Sequence, residues 1–548
     1  MQTTPSRSPS QQADEKLTQQ ASDAAQDAGR DEKKRPTEMN ASLGAILPKD
    51  FGTAQARHLL WRAGFGGTTE QVRTLVSWGP EKSVDHLLNF GEGSTMNAFD
   101  PPKPDLFAAD IMRPATEEER RAYRMAQQAQ NEDELARFRK IRQDREQEDR
   151  RQVGEMQKWW LKRMIETSQP LQEKLTLFWH GHFATSYRTI ENSYHMYLQN
   201  QLFRKHAAGN FGELLAAIIR DPAMIAYLDN NDSRKNKPNE NLAREIMELF
   251  SLGVGNYGED DIKEGAKALT GYTFEDDAFV FRKANHDNSE KIILGNKGTW
   301  DGDDFVRIIL SQRACARFVM RRLYNFLVAD VPPDERGGEQ ALTNAQRSVV
   351  RELGDMLYSQ KYNLRPVLRR LLLSKHFYDD SEQGVMNQQI KSPTALIVGA
   401  IRELNTPVRD LQLLNQALDM MGQRLFFPPS VKGWDGGRAW MNTSTLFVRQ
   451  NVLAFLIAGR LPRGIDGSAN TDKYDAMALL EHAEDAGVRE RKPEAVTNHL
   501  LQLCLGKTPA AGVEAVKSFF AREGNKVNDK TVTGALLLIT AMPEYQLC

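Results

Sequence analysis

The chain has 548 residues, 40% of them hydrophobic and 26% charged, an ordinary soluble composition with enough apolar mass for two or more hydrophobic cores. Its 72 basic and 73 acidic side chains nearly cancel, which removes any overall pull toward nucleic acid or an anionic membrane. The three cysteines, Cys315, Cys504 and Cys548, lie far apart without a CxxC pair, which excludes a disulfide framework and a cysteine zinc site.

Residues 1 to about 45 are rich in Gln, Ser, Asp and Lys and nearly devoid of large apolar side chains, which predicts a disordered tail. The start "MQTTPSRSPSQQADEK" lacks the short apolar core of a secretory signal, and no run of about 18 apolar residues follows. The expectation is a cytoplasmic protein without a transmembrane segment. From Phe51 the pattern turns helical: "TAQARHLLWRAG" and "TTEQVRTLVSWG" carry apolar residues at helical spacing and close on glycine. Thr68 and Gln71 form a capping box for the second of these, and a third short helix has Pro80 in its first turn and Gly91 past its end.

The segment from Thr116 to Ser168 alternates charges without a proline, which predicts one long charged helix capped by Thr116 and Glu119. Only Met156 to Ile165 offer it a core face. The mixed signs point to a solvated helix or a protein-binding arm rather than a nucleic-acid grip.

"LFWHGHFATS" places His180 and His182 two residues apart. If the helix that begins at Pro170 continues, Leu171, Leu175, Phe178 and His182 share one stripe and His180 points about 160° away. If Gly181 ends it in a left-handed turn, the two rings can converge on a cleft and share a metal. Two histidines bonded to backbone beside Trp179 are the structural alternative.

"NFGELLAAIIRDPAMIAYLDN" opens on an Asn210–Glu213 cap and breaks at Asp221-Pro222. The loop "NNDSRKNKPNEN" holds five asparagines and three basic residues. Arg234 and Asn239 in it, with Lys235 and Lys237, are candidates for gripping an anionic substrate group at the following helix N-terminus. In that helix, "ENLAREIMELFSLG", Glu245 and Glu248 lie three apart on the flank of a core stripe, and Arg244 is spaced to pair with Glu240. "FVFRKANHDNSEKIIL" reads as one β-hairpin with His286 and Asp287 at its tip. "DGDD" brings Asp301, Asp303 and Asp304 to a helix start but fails the calcium-loop test, since Gln312 stands where a bidentate glutamate is needed. Helix capping by Asp303 is the better account, with a nonstandard divalent site built from Asp301, Asp303 and histidine left open.

The remainder is helical except for "MGQRLFFPPSVKGWDGGRAWMNTST", Met421 to Thr445. Its prolines and glycines forbid a regular element while it carries Phe426, Phe427, Trp434 and Trp440. Such a loop packs inward, either lining a pocket or plugging the helical core. Trp434, Arg438, Trp440 and Asn442 are its candidates for contact with a sugar or peptide. There is no Walker motif, GxSxG or GxGxxG, which leaves nucleotide binding and serine hydrolysis by familiar routes without support.

Several stretches together resemble a bacterial family, the domain of unknown function 1800: "HLLWRAGFG", "FWHGHFATS", "YLDNNDSRKNKPNENLAREIMELFSLGVGNYGEDDIKEGAKALTGYTF", "GTWDGDD", "IKSPTALIVG" and "MGQRLFFPPSVKGWDGGRAW". The resemblance covers roughly residues 50 to 460 and implies a largely helical bacterial protein with no established reaction. It also implies frequent export, and frequent occurrence beside a second, sulfatase-like family.

The fold expected is mainly α: a multi-helix globular protein with one short β-hairpin, a long charged helix and a disordered N-terminal tail. Its segments are 46–115, 116–168, a core at 169–460 carrying the family motifs, and a C-terminal helical module at 461–548. Two functional readings follow. In one, the motifs converge on a cleft of a hydrolase acting on an envelope or extracellular polymer, with a divalent metal as the possible cofactor. His180 or His182 would then be base or metal ligand, Glu245 or Glu248 its carboxylate partner, and Arg244 or Arg438 a support for negative charge. In the other, the polar motifs hold a non-catalytic scaffold together, and the long helix or the aromatic loop binds a protein partner.

Overall fold

Side-chain caps start many of the helices where the sequence announces them. The computed structural model describes residues 38–90, 108–331, 342–460, 472–481, 483 and 485–548. Helix α1 spans Thr53–Arg62. Thr68 accepts from the Gln71 amide at 3.2 Å and Gln71 Oε1 from the Thr68 amide at 3.0 Å, and α2 runs Thr69–Leu88 with a kink at Gly79, whose φ is 74°. Gly79 departs from helical geometry there and Pro80 follows it, so the two helices expected from the sequence meet at this break. Residues 1–37 of the expected tail and Gly91 lie outside the described residues. Residues 38–45 are ordered, contrary to expectation: Leu43 is buried and Ala45 forms an antiparallel bridge with Ser374.

The single long charged helix is instead two. Helix α3 (Glu117–Gln128) and α4 (Glu132–Glu166) are separated by Gln130, which takes a left-handed φ of 49°, and by Asn131, which accepts from the Glu134 amide at 3.2 Å. Three acidic residues after Asn131 favour a new helix N-terminus over continuation. The two fold back on each other, with Tyr123 edge-on to Phe138 at 5.6 Å and Arg145 reaching Glu119 at 3.4 Å.

Helix α5, Pro170–His182, joins the two cores. Leu171, Leu175, Phe178 and Trp179 belong to a first core built largely from α1, α2 and residues between 203 and 386, whereas Leu177 belongs to a second. That second core takes Trp160 and Met164 from α4 and most of its remaining apolar side chains from 396 to 545. Glu173, fully buried, fastens α5 to its neighbours. It accepts from Arg163 of α4 at 2.5 Å, from Trp160 at 3.0 Å, and from Arg204 of α6 (Ser193–Lys205) at 2.8 and 3.0 Å.

Further along, α7 (Glu240–Glu245) passes into a π-helical turn, Ile246–Ser251. The expected single hairpin is two small ones. Strand β1 (Tyr272–Glu275) pairs with β2 (Ala278–Phe281), and β3 (Lys291–Ile293) with β4 (Asn296–Gly298). Each closes on its own tight turn, with positive φ at Asp276 and at Leu294-Gly295, so "FVF" and "KII" never pair with each other. Asp301, not Asp303, caps the next helix, α8 (Gly302–Leu310), accepting from the Asp303 and Asp304 amides at 2.9 and 3.1 Å. Helices α9 (Arg313–Leu327), α10 (Pro393–Leu404) and α11 (Thr443–Ala458) complete the frame of the site. No helix among the described residues is long and apolar enough to cross a membrane.

Candidate ligand cleft

Lys174, Leu177, Phe178 and Gly181 recur at helical spacing on one face of α5, and that face forms one wall of a cavity of about 120 Å³. Helix α9 contributes Arg322, Asn325 and Phe326, with Asp330 just beyond its end. The segment Gln389–Ser392 with Ala395 closes another side, and Trp434 and Trp440 of the aromatic loop close the last. The loop reaches α5 because position 433 is glycine. Gly433 has φ 82°, and a Cβ there would overlap the Gly181 carbonyl oxygen. Gly181 in turn leaves room for Trp434, whose ring would lie 3.4 Å from a Cβ at that position.

The two histidines diverge, because α5 continues helical through Gly181. His180 turns away from the cavity, and its Nε2 accepts from the Phe426 amide at 3.1 Å, pinning the aromatic loop. His182 lines the cavity. Its Nε2 bonds the Phe250 carbonyl at 2.9 Å, which requires the proton on Nε2 and leaves Nδ1 as an acceptor. That Nδ1 is buried with no hydrogen-bond partner, and so is the indole N–H of Trp434. Burial holds both imidazoles neutral, down to about 3, with Arg322 adding to the effect at His182.

Lys174 is 6% exposed, and its ammonium lies 5.0 Å from the Phe65 ring centroid and 5.6 Å from that of Phe326. Burial pushes its pKa down to about 8. Burial also lowers that of Arg322, against an opposing pull from Asp435. Asp330 accepts from the Ile390 amide at 3.1 Å, yet burial outweighs that bond and raises its carboxyl. Cys548 completes the rim, its Sγ accepting from Arg62 at 3.1 Å.

Of the residues singled out in the sequence, His182, Trp434 and Trp440 meet in this cavity, and His180 supports it from behind. The others lie elsewhere. Arg244 bonds Glu240 at 3.1 Å and Glu259 at 2.8 Å. Glu248 accepts from the Tyr257 hydroxyl at 2.8 Å, and Glu245, beside it, has its carboxyl raised by burial and by Glu248. Asn239 caps α7, Arg234 bridges Lys237 through the backbone, and Asn442 caps α11. Arg438 is exposed. Asp301 is a cap and Asp303 pairs with Arg220, so neither reaches His180 or His182. Among the described residues, no three His, Cys, Asp or Glu side chains come together as a metal-binding group.

Lys174, Arg322 and Asp330 were not singled out from the sequence. A signal existed for Lys174, the charged member of an otherwise apolar or small face 174, 177, 178, 181. For Arg322 and Asp330 there was none, because their meeting with α5 is a tertiary event. The cavity gathers several of the family-like segments. "FWHGHFATS" supplies His182, "IKSPTALIVG" and "MGQRLFFPPSVKGWDGGRAW" supply walls, and "HLLWRAGFG" supplies Phe65 and Arg62 around Lys174.

Neither the curated proteins nor the solved structures give a match to this chain. A family model described as protein of unknown function (DUF1800) does match, over residues 58–547, a span that includes every cleft residue named above except Cys548. The chain therefore belongs to the DUF1800 family.

Proposed function

We propose that the protein is a hydrolase-like enzyme that acts on an envelope or extracellular polymer, with the cleft between the two cores as its active site. The observation that carries this reading is the meeting of Lys174, Asp330 and His182 in one cavity walled by Trp434 and Trp440. Burial lowers the Lys174 ammonium to about 8 and raises the Asp330 carboxyl, opposite shifts of the kind that divide acid and base roles between two groups of one site.

In this scheme the Asp330 carboxylate takes a proton from the attacking water as its oxygen bonds to the electrophilic centre of the substrate. The Lys174 ammonium gives a proton to the leaving oxygen as the scissile bond breaks. Arg322 offsets the negative charge that develops between them, and His182 Nδ1 accepts a hydrogen bond from a substrate hydroxyl or amide. The tryptophans provide flat apolar faces of the kind on which sugar rings stack. A polymer substrate agrees with the frequent export implied by the family resemblance. The test is a screen of envelope and extracellular polysaccharides and peptides with the wild type and with Asp330→Asn. Turnover that Asp330→Asn abolishes supports the reading, and turnover indifferent to it removes Asp330 as base.

A second reading gives the α3–α4 hairpin a role as a protein-binding arm. Tyr123, Met125 and Ile141 are 45%, 60% and 40% exposed there, unusual for large apolar side chains. Crosslinking in cells from position 125 that captures no protein would remove it.

A further inference from the structure

We infer that the group recognised in the cleft is an oxyanion, a carboxylate, sulfate ester or phosphate ester carried by the substrate, held between the Lys174 ammonium and the Arg322 guanidinium. This rests on the cleft being the functional site and names what the site selects.

The argument is one of contrast within the molecule. Among the described residues, the buried cations outside the cleft each donate to at least one carboxylate or carbonyl, although Arg62, Arg204 and Arg449 each keep one nitrogen unbonded. Arg163 and Arg204 share Glu173. Arg62 donates to the Leu327 carbonyl, Arg402 to those of Gly66, Ile165 and Thr167, and Arg449 to that of Lys391. Lys291 donates to the carbonyls of Asp287 and Ser289. Lys174, buried, and Arg322, half-buried, are different: they line one cavity, and among the described residues neither side chain makes a hydrogen bond or close ion pair, Lys174 being drawn only by Cys548 and Arg322 only by Asp435. A desolvated cation without a partner is costly, and a protein keeps one where a ligand supplies the missing charge.

The acids in the wall do not fill that role. Asp330 is bonded to the Ile390 amide and abuts Gly437, while Asp435 sits exposed and bonded to Lys432 at 3.1 Å. Lys391, a third cation of the wall, lies over the Tyr545 and Trp61 rings at 4.1 and 5.1 Å and is offset by the buried Glu403. A guanidinium offers two parallel N–H donors to a carboxylate, sulfate or phosphate, and an ammonium offers a point charge beside it. Aromatic walls thin the water and strengthen both interactions. A cavity of about 120 Å³ suits one charged terminal or branching group rather than a threaded chain.

The test is titration calorimetry of the full chain with sodium sulfate, sodium phosphate and sodium glucuronate, each against sodium chloride at equal ionic strength. The variants are Arg322→Gln, Arg322→Lys and, on an exposed strand that does not line the cleft, Lys297→Gln. Because Arg322 has no partner to strand, Arg322→Gln is expected to keep the wild-type circular dichroism spectrum. The inference expects saturable binding of at least one anion, weakened about tenfold or more in Arg322→Gln, partly restored in Arg322→Lys and unchanged in Lys297→Gln. Which anion binds tells a carboxylate from an ester. Absence of saturable binding by all three, or equal binding by Arg322→Gln, overturns it. Turnover of a neutral polymer without anion binding would retain the hydrolytic reading and remove this one. Anion binding without turnover of any polymer would do the reverse.

Discussion

The backbone of Gly433 rests directly on the carbonyl of Gly181, and this contact seats Trp434 against α5 between the directions taken by His180 and His182. A side chain at 433 meets two obstacles, the positive φ of 82° and the Gly181 oxygen. Gly433→Ala is therefore expected to lose about 2 kcal/mol or more of stability. It should also displace Trp434, seen as a change in tryptophan fluorescence in the native baseline. Denaturant unfolding checks the first and emission spectra the second; wild-type values in both would show that the contact is dispensable.

Lys174 makes the cleft sensitive to pH in a direction opposite to that of an ordinary salt bridge. Its folded pKa, about 8, lies below the 10.5 of a free lysine, so the folded state loses the proton first. The cost of holding the charge, about 3 kcal/mol, is fully present below pH 8 and is relieved as pH rises from 8 to 10.5. Relative to Lys174→Met, the wild type should gain stability over that window. Anion binding should fall over the same window, as the ammonium is lost. The groups around it are Arg62, Arg322, Lys391, His182, Asp330, Asp435 and Cys548. His182 stays neutral down to about 3 in the folded state, so it adds no step to anion binding between pH 5 and 8, and the stability it loses below about pH 6.5 is shared by Lys174→Met and cancels in the difference. Unfolding curves and calorimetry at pH 7, 8, 9 and 10 decide it, and a flat difference against Lys174→Met would contradict it.

Glu173 is the structural counterpart, a buried charge that is fully partnered. Burial alone would raise its pKa, but Arg204 and Arg163 outweigh it and hold the carboxyl down to about 2. Its stabilisation is present above pH 4.5 and lost as pH falls toward 2. Glu173→Gln strands two guanidiniums and is expected to cost about 3–5 kcal/mol at pH 7. Thermal or denaturant unfolding would show this, and a loss below 1 kcal/mol would mean that the arginines find other partners.

Asn131 starts α4 where the charge pattern alone gave no break. Asn131→Ala removes the bond to the Glu134 amide and should cost about 1 kcal/mol locally. Hydrogen exchange at Glu132 to Glu134 should quicken by roughly fivefold, while amides of Leu175 to Trp179 keep their wild-type rates. Acceleration in both places would mean that the hairpin and the cleft unfold together.

The mainly helical fold was legible because local signals agreed with packing: Thr68–Gln71, Asn210–Glu213 and Asp221-Pro222 all start helices as their chemistry dictates. The continuation of α5 through Gly181 was undecidable locally. In the fold, Trp434, more than 250 residues away, packs against this part of the helix, 3.4 Å from where a Cβ at 181 would stand. The break at Gln130 was missed because no proline or glycine marks it, and the folding back of α3 onto α4 decides the outcome. The inward packing of the aromatic loop was legible from its tryptophans. The charges facing it were not, since Arg322 and Asp330 belong to a helix and a turn whose sequence neighbours reveal nothing of the cavity.

The central claim is that Lys174 is kept charged in the cleft for a ligand and at a cost to the fold. Unfolding free energy and anion binding of Lys174→Met, measured on the same preparation at pH 7, test it most directly. The account predicts a variant at least as stable as the wild type, by up to about 3 kcal/mol, with anion binding and turnover lost. A variant that is markedly less stable, yet binds and turns over as the wild type does when folded, would contradict it.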